Sequence, residues 1–134
     1  MRRIFPATPT SLREVRDFIR ERAEEAALYR SSQDDLVLAV SEICANSVQH
    51  AGGDRFIVSW SAGPREPTEV KVQDDGVFAG GGMRGHGSSR GFGLPLVAAL
   101  VDELSIARGT SKRPGTTVRM VKYRAAANRR SALG

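Results

Sequence analysis

The sequence predicts an α/β two-layer sandwich, with about three helices on one face of a mostly antiparallel mixed sheet. Three observations predict it. Short segments that alternate apolar and polar residues come in adjacent pairs, Arg55 to Ala62 with the run around Val70 and Val72, and Leu104 to Arg108 with Thr116 to Arg124. Two longer segments, Ser11 to Leu28 and Asp34 to Gly53, repeat their apolar residues at helical spacing. A short apolar segment, Leu94 to Val101, lies between the strand pairs.

Taken in order, Arg2 to Phe5 reads as a short edge strand stopped by Pro6 and Pro9. Ser11 followed by Glu14 matches a capping box, after which Leu12, Val15, Phe18, Ile19 and Ala26 mark the buried side of a first helix. Its other side carries Arg13, Glu14, Arg16, Asp17, Arg20 and Glu21, the pattern of a solvated face. Ser32 with Asp35 opens the second helix and Gly52-Gly53 closes it. Phe56, Val58 and Trp60 alternate with Ser59 and Ser61 in the next strand, and Gly63 to Pro67 is the turn into its partner, which runs to Asp74-Asp75-Gly76. Residues 79 to 93 hold seven glycines and no acid, too little apolar surface for a packed element, so a mobile loop is expected there. Pro95 falls in the first turn of the third helix, where its missing amide hydrogen does no harm. One domain over residues 1 to 124 and a disordered tail over 125 to 134 are expected, because 134 residues are too few for two domains of ordinary size.

Composition narrows the function classes. No apolar run approaches the roughly 20 residues that span a bilayer, and no apolar segment follows Arg2-Arg3, so neither a membrane protein nor a signal peptide is expected. The net charge is +5, but Arg2, Arg3, Lys122, Arg124, Arg129 and Arg130 lie at the two ends, and removing them leaves −1 for the body. With 6% aromatic residues there is no interleaved basic and stacking pattern either, and direct nucleic-acid binding is not expected. Cys44 sits on an apolar helix stripe, which makes it a small core residue, and a cytoplasmic protein with no disulfide is the expectation.

The second helix carries the first chemical signal. Leu36, Val40, Ile43 and Ser47 form one stripe and Val37, Cys44 and Val48 the next, while Glu42, Asn46 and His50 interrupt the pattern at four-residue intervals. Either Glu42 pairs with an arginine at the surface and Asn46 is incidental, or the line serves chemistry. In the second case the Asn46 amide oxygen suits Mg²⁺, and Glu42 is placed to accept a proton from an attacking hydroxyl. His50, at the wet end, reads as a cap or packing residue. Asp74-Asp75-Gly76 is either a strand-terminal turn or a fixed carboxylate for an exocyclic amine such as that of adenine. Gly91-Phe92-Gly93-Leu94-Pro95 runs glycines into a helix start, an arrangement that favours an anion, and Arg84, His86 and Arg90 add positive character before it. Gly115-Thr116 opens the last strand and offers a hydroxyl.

Together these four segments resemble the N, G1, G2 and G3 boxes of the GHKL (Bergerat-fold) ATP-binding superfamily. They are ExxxNxxxH at Glu42, Asn46 and His50, DxG at Asp74 and Gly76, GxGL at Gly91, Gly93 and Leu94, and GT at Gly115 and Thr116. Within it the chain is similar to the stand-alone anti-sigma factor serine/threonine kinases, through F-P-A at Phe5, S-L-R-E-V-R at Ser11 and L-A-V-S-E-x-x-A-N-S-V-x-H-A at Leu38. The resemblance covers about residues 8 to 122. It implies that Glu42 is the general base, that Asn46 holds Mg²⁺, and that Asp74 and Gly76 meet the adenine of ATP. It also implies that Gly91, Gly93 and Leu94 cradle phosphates, that Arg90 touches the terminal phosphate, and that Thr116 reaches the adenine side. Arg16 matches an arginine with which the family grips protein partners. The implied partners are a STAS-type anti-sigma factor antagonist, phosphorylated on Ser or Thr, a sigma factor that is sequestered, and a second copy of the chain. One departure is Phe78, which stands where the G1 box usually has its second glycine and is expected to crowd the lid hinge. That departure favours an alternative, an ATP-binding regulatory module that transfers nothing.

Overall fold

The computed structural model describes residues 1–50, 54–74, 93–110, 112 and 115–124. Its elements are β1 (Arg2–Pro6), α1 (Ser11–Glu25), α2 (Arg30–His50), β2 (Arg55–Ser61), β3 (Thr68–Asp74), α3 (Gly93–Leu100), β4 (Glu103–Arg108) and β5 (Thr116–Lys122). The strands form one sheet in the order β1-β2-β3-β5-β4, and each of the four pairings is antiparallel. The expected two-layer α/β sandwich is therefore present, with no parallel pairing among the described strands.

Alternation decides which sheet face is covered. Phe56, Val58 and Trp60 on β2, Val70 and Val72 on β3, and Val118 and Met120 on β5 all point to the helix layer and are buried. Against them pack Val15, Phe18, Ile19 and Ala23 of α1, Leu36, Ala39, Val40, Ile43 and Cys44 of α2, and Val97 of α3. Phe5 joins the first strand to this core by stacking on Phe56 at 5.6 Å and meeting Phe18 edge-on at 6.2 Å. The opposite sheet face is polar. There Arg119 pairs with both Glu69 and Glu103, and the Tyr123 hydroxyl donates to Glu103. Among the described residues no helix is long and apolar enough to cross a membrane.

Helix ends differ from the sequence expectation for identifiable reasons. The first helix stops at Glu25 rather than Leu28, because Ala27 turns left-handed with φ 58°. The Leu28 amide then donates to Ala23 O and the Ala27 amide to Glu24 O, the pair of bonds that defines a Schellman termination. Alanine gives no sequence signal for that geometry. The capping box is not formed either. Thr10 is the N-cap and makes no side-chain cap bond, while the Ser11 hydroxyl donates to Pro6 O at 2.6 Å and Glu14 lies 3.7 Å from Arg3. The second helix starts one turn earlier than Asp34, at Arg30. Its first turn has no apolar spacing, but Gln33 is buried and its side-chain amide donates to Leu28 O at 3.1 Å. Arg20 of α1 grips Asp34 at 2.7 Å beside it, holding the carboxyl of Asp34 below the usual carboxylate range.

Two substitutions test these packing claims in urea denaturation followed by circular dichroism. Phe5→Ala empties a fully enclosed aromatic site and is expected to cost about 3–5 kcal/mol. Ala27→Gly relieves a left-handed alanine on an exposed turn and is expected to stabilise by about 1 kcal/mol. Loss of stability in the glycine variant would contradict the termination geometry described for α1.

Candidate functional site

Three segments far apart in sequence meet at one end of the sheet, under the C-terminal half of α2. Asp74 is the last residue of β3 and Thr116 the first of β5, and the two are direct cross-strand partners. Both side chains point to the helix layer and are only 5% exposed. Above them Ser47 of α2, 6% exposed, donates its hydroxyl to Asp74 Oδ2 at 3.3 Å. Thr116 Oγ1 is buried and has no hydrogen-bond partner among the described residues. A buried hydroxyl without a partner costs about 1–3 kcal/mol, so this corner is suited to a polar ligand atom or a water.

Glu42 and Asn46 lie on the same helix and are half-buried, whereas their neighbours Ile43, Cys44 and Ser47 are fully buried. The polar line thus runs along the margin between core and solvent. Asn46 directly precedes Ser47 in the chain and so flanks the Asp74–Thr116 corner, with Glu42 one turn further back. Cys44 stays in the core, and burial pushes its thiol well above the ordinary cysteine range.

The third helix begins at Gly93, Leu94 is half-buried and packs on the core cluster, and Pro95 is in the first turn as expected. The Lys122 ammonium binds Asp35 of α2 at 2.9 Å and Leu100 O of α3 at 2.8 Å, so β5 holds the C-terminal end of α3 against the second helix. Gly115, just before Thr116, has φ 123°, a conformation open to glycine, and its carbonyl accepts from the Gly109 amide. Arg16 is exposed on α1 and reaches Ser41 of α2 at 3.2 Å, the residue next to Glu42. Gly76, Phe78, Arg84, His86, Arg90 and Gly91, with most of the glycine-rich segment, Gly52-Gly53 and the tail from 125, lie outside the described residues, as does the His50 side chain.

Asp74, Thr116 and the Glu42–Asn46 line are therefore brought to one end of the molecule. In the sequence Ser47 takes a place on the apolar stripe of Leu36, Val40 and Ile43. Its signal was that it is the one hydroxyl on that stripe.

Residues 5–122 match the histidine kinase-like ATPase domain. The chain belongs to that family. It is 30% identical over 135 residues to the serine-protein kinase RsbW of Bacillus velezensis, an alignment covering 89% of this chain and 82% of the relative. Among solved structures it is similar to the RsbU and RsbW domains of a Mycobacterium tuberculosis protein, with a TM-score of 0.70 and 25% identity over 92% of this chain. It spans about a third of that longer chain, 32% of its length. The resemblance carried by the four boxes is thus borne out at the level of family and fold, and the members it resembles are RsbW proteins.

The buried thiol gives a direct check on how tightly α2 sits in this family fold. Cys44 is expected to stay unreactive toward a thiol reagent such as Ellman's reagent at pH 8 and to react in full once denaturant unfolds the chain. Rapid reaction of the folded protein would show that the helix face carrying Cys44 is open.

Proposed function

We propose that this chain is an Mg²⁺-ATP-dependent serine/threonine protein kinase that also acts as an anti-sigma factor, with residues 1–124 as its one functional unit. The antagonist it phosphorylates is a small STAS-type protein, and the sigma factor is its sequestered partner. The observation that carries this reading is the meeting of Asp74, Thr116 and Ser47 beside the Glu42–Asn46 line.

The residues present fit both ATP and Mg²⁺. A purine amine needs an acceptor held at fixed geometry, and Asp74 is a buried carboxylate at the end of β3 that accepts from Ser47. The Thr116 hydroxyl, without a hydrogen-bond partner among the described residues, stands beside it. No group of three or more His, Cys, Asp or Glu side chains that could hold a metal occurs among the described residues. A site with few protein ligands is the kind that Mg²⁺ uses when it keeps several waters and binds phosphate oxygens, and Asn46 would supply the protein oxygen. When bound, Mg²⁺-ATP supplies the phosphoryl group and neutralises charge on it.

Glu42 would then accept the proton of a serine or threonine hydroxyl on the antagonist as that oxygen bonds to the γ-phosphorus. The bond from that phosphorus to the bridging oxygen would break and ADP would be the leaving group. Gly91, Gly93 and Leu94 would line the phosphates, with Arg90 at the terminal one and Gly76 close to the base. The added phosphate, carrying roughly −1.5 to −2 charge, would weaken the antagonist's contact with its binding face. Arg16, exposed at the junction of α1 and α2, would contribute to gripping partner proteins, in a chain that works as a homodimer.

The test uses two variants, purified antagonist and labelled ATP. Asp74→Asn is expected to weaken ATP binding about 10- to 100-fold, the value of a hydrogen bond to a charged group. Glu42→Ala is expected to leave ATP binding within a few-fold while phosphate transfer falls about 10²- to 10⁴-fold. Normal transfer by Glu42→Ala would remove Glu42 from the role of base. A wild-type melt unchanged by Mg²⁺-ATP would reduce the protein to a partner-binding module.

A further inference from the structure

Ser47 has no role in that scheme, yet its surroundings call for one. It occupies a helix face otherwise built from Leu36, Ala39, Val40, Ile43 and Cys44, all fully buried. A serine inside a helix usually turns its hydroxyl back to the carbonyl four residues earlier. Here the hydroxyl crosses to the sheet and donates to Asp74 Oδ2, a contact between two residues 27 positions apart and both buried. An ionised carboxylate only accepts, so the proton in this bond belongs to Ser47.

That bond acts on the orientation of Asp74. It restrains the carboxylate about its side-chain torsions, at a point where Thr116 already occupies the neighbouring strand position. A charged carboxylate accepts from a 6-amino purine and repels a 6-oxo purine. A neutral carboxyl group carries an O–H and can donate to the 6-oxo group instead.

We infer that Ser47 is a positioning residue that sets base selectivity at the purine pocket, holding Asp74 as an oriented acceptor so that 6-amino purine nucleotides are chosen over 6-oxo ones. The inference rests on the ATP-site reading above and adds to it the residue through which adenine is told from hypoxanthine or guanine. Ser47 itself need not touch the nucleotide.

The experiment measures binding of Mg²⁺-ATP and Mg²⁺-ITP to the full chain by calorimetry, for wild type, Ser47→Ala and Ser47→Thr. Alanine favours helix and removes one small polar group, so Ser47→Ala is expected to fold, which circular dichroism checks. Wild type is expected to prefer ATP by about 10- to 100-fold, the range for a hydrogen bond to a charged acceptor. In Ser47→Ala the ATP affinity falls about 5- to 10-fold, as for one lost hydrogen bond to a carboxylate, while ITP affinity changes less than twofold. The preference then shrinks by the same factor, and Ser47→Thr, which keeps the hydroxyl, restores it. A merely structural serine would weaken both nucleotides equally and leave the ratio unchanged, and that result overturns the inference. So does a folded Ser47→Thr that loses the ratio as alanine does, or a wild type that binds ATP and ITP alike. Absence of any ATP binding by wild type is a different failure, since it removes the ATP-site reading itself.

Discussion

The molecule depends on how α2 is seated on the sheet. Leu36, Val40 and Ile43 are buried along one stripe of that helix, and each such side chain contributes about 1.5–3 kcal/mol when removed from water. Successive residues on a helix are turned by about 100°, so seating the stripe leaves no freedom in where the adjacent faces point. The margin carrying Glu42 and Asn46 is fixed by the same contact that forms the core, and Ser47 arrives over Asp74 for the same reason. Packing thereby becomes site geometry without any device dedicated to it. Helix α1 backs the arrangement through Phe18 and Ile19 below and through Arg16 and Arg20 at the rim.

The two faces of the sheet do different work. The covered face holds the aromatic and branched side chains that account for most of the burial. The open face holds the Arg119 ladder with Glu69, Glu103 and Tyr123, in which Tyr123 and Arg119 draw the Glu103 carboxyl below its ordinary range. Exposed pairs of this kind contribute little each. Their use is to keep a broad strand surface polar, which discourages indiscriminate sheet-to-sheet association.

Much of this was legible in the sequence, and what was missed has physical causes. Strands β2, β3 and β5 were readable because one face is covered and the other open, which imposes a period of two. Glu42 and Asn46 were readable because polar residues stand out on an apolar rod. The end of α1 was not, since Ala27 adopts its left-handed turn without the glycine that usually announces one. Ser11 carried a capping pattern but spends its hydroxyl on Pro6. The Asp74–Thr116 partnership was hidden as well, because local periodicity says nothing of strand order, and β5 could have paired elsewhere. Ser47 fits an apolar stripe by size, and its partner emerges only when β3 is placed beneath the helix.

Strand β5 lies between β3 and β4, and among the described strands β4 has no other neighbour in the sheet. The hairpin of β4 and β5 must therefore dock by its second strand, which brings Thr116 to Asp74 and Lys122 to α2 and α3. During synthesis on the ribosome, everything up to β4 emerges before the strand that carries Thr116. A nascent chain lacking those few residues has a helix, a carboxylate and an open seam. The meeting of Asp74 and Thr116 thus waits on the pairing of the later hairpin, a long-range step that the helix and β3 alone do not supply.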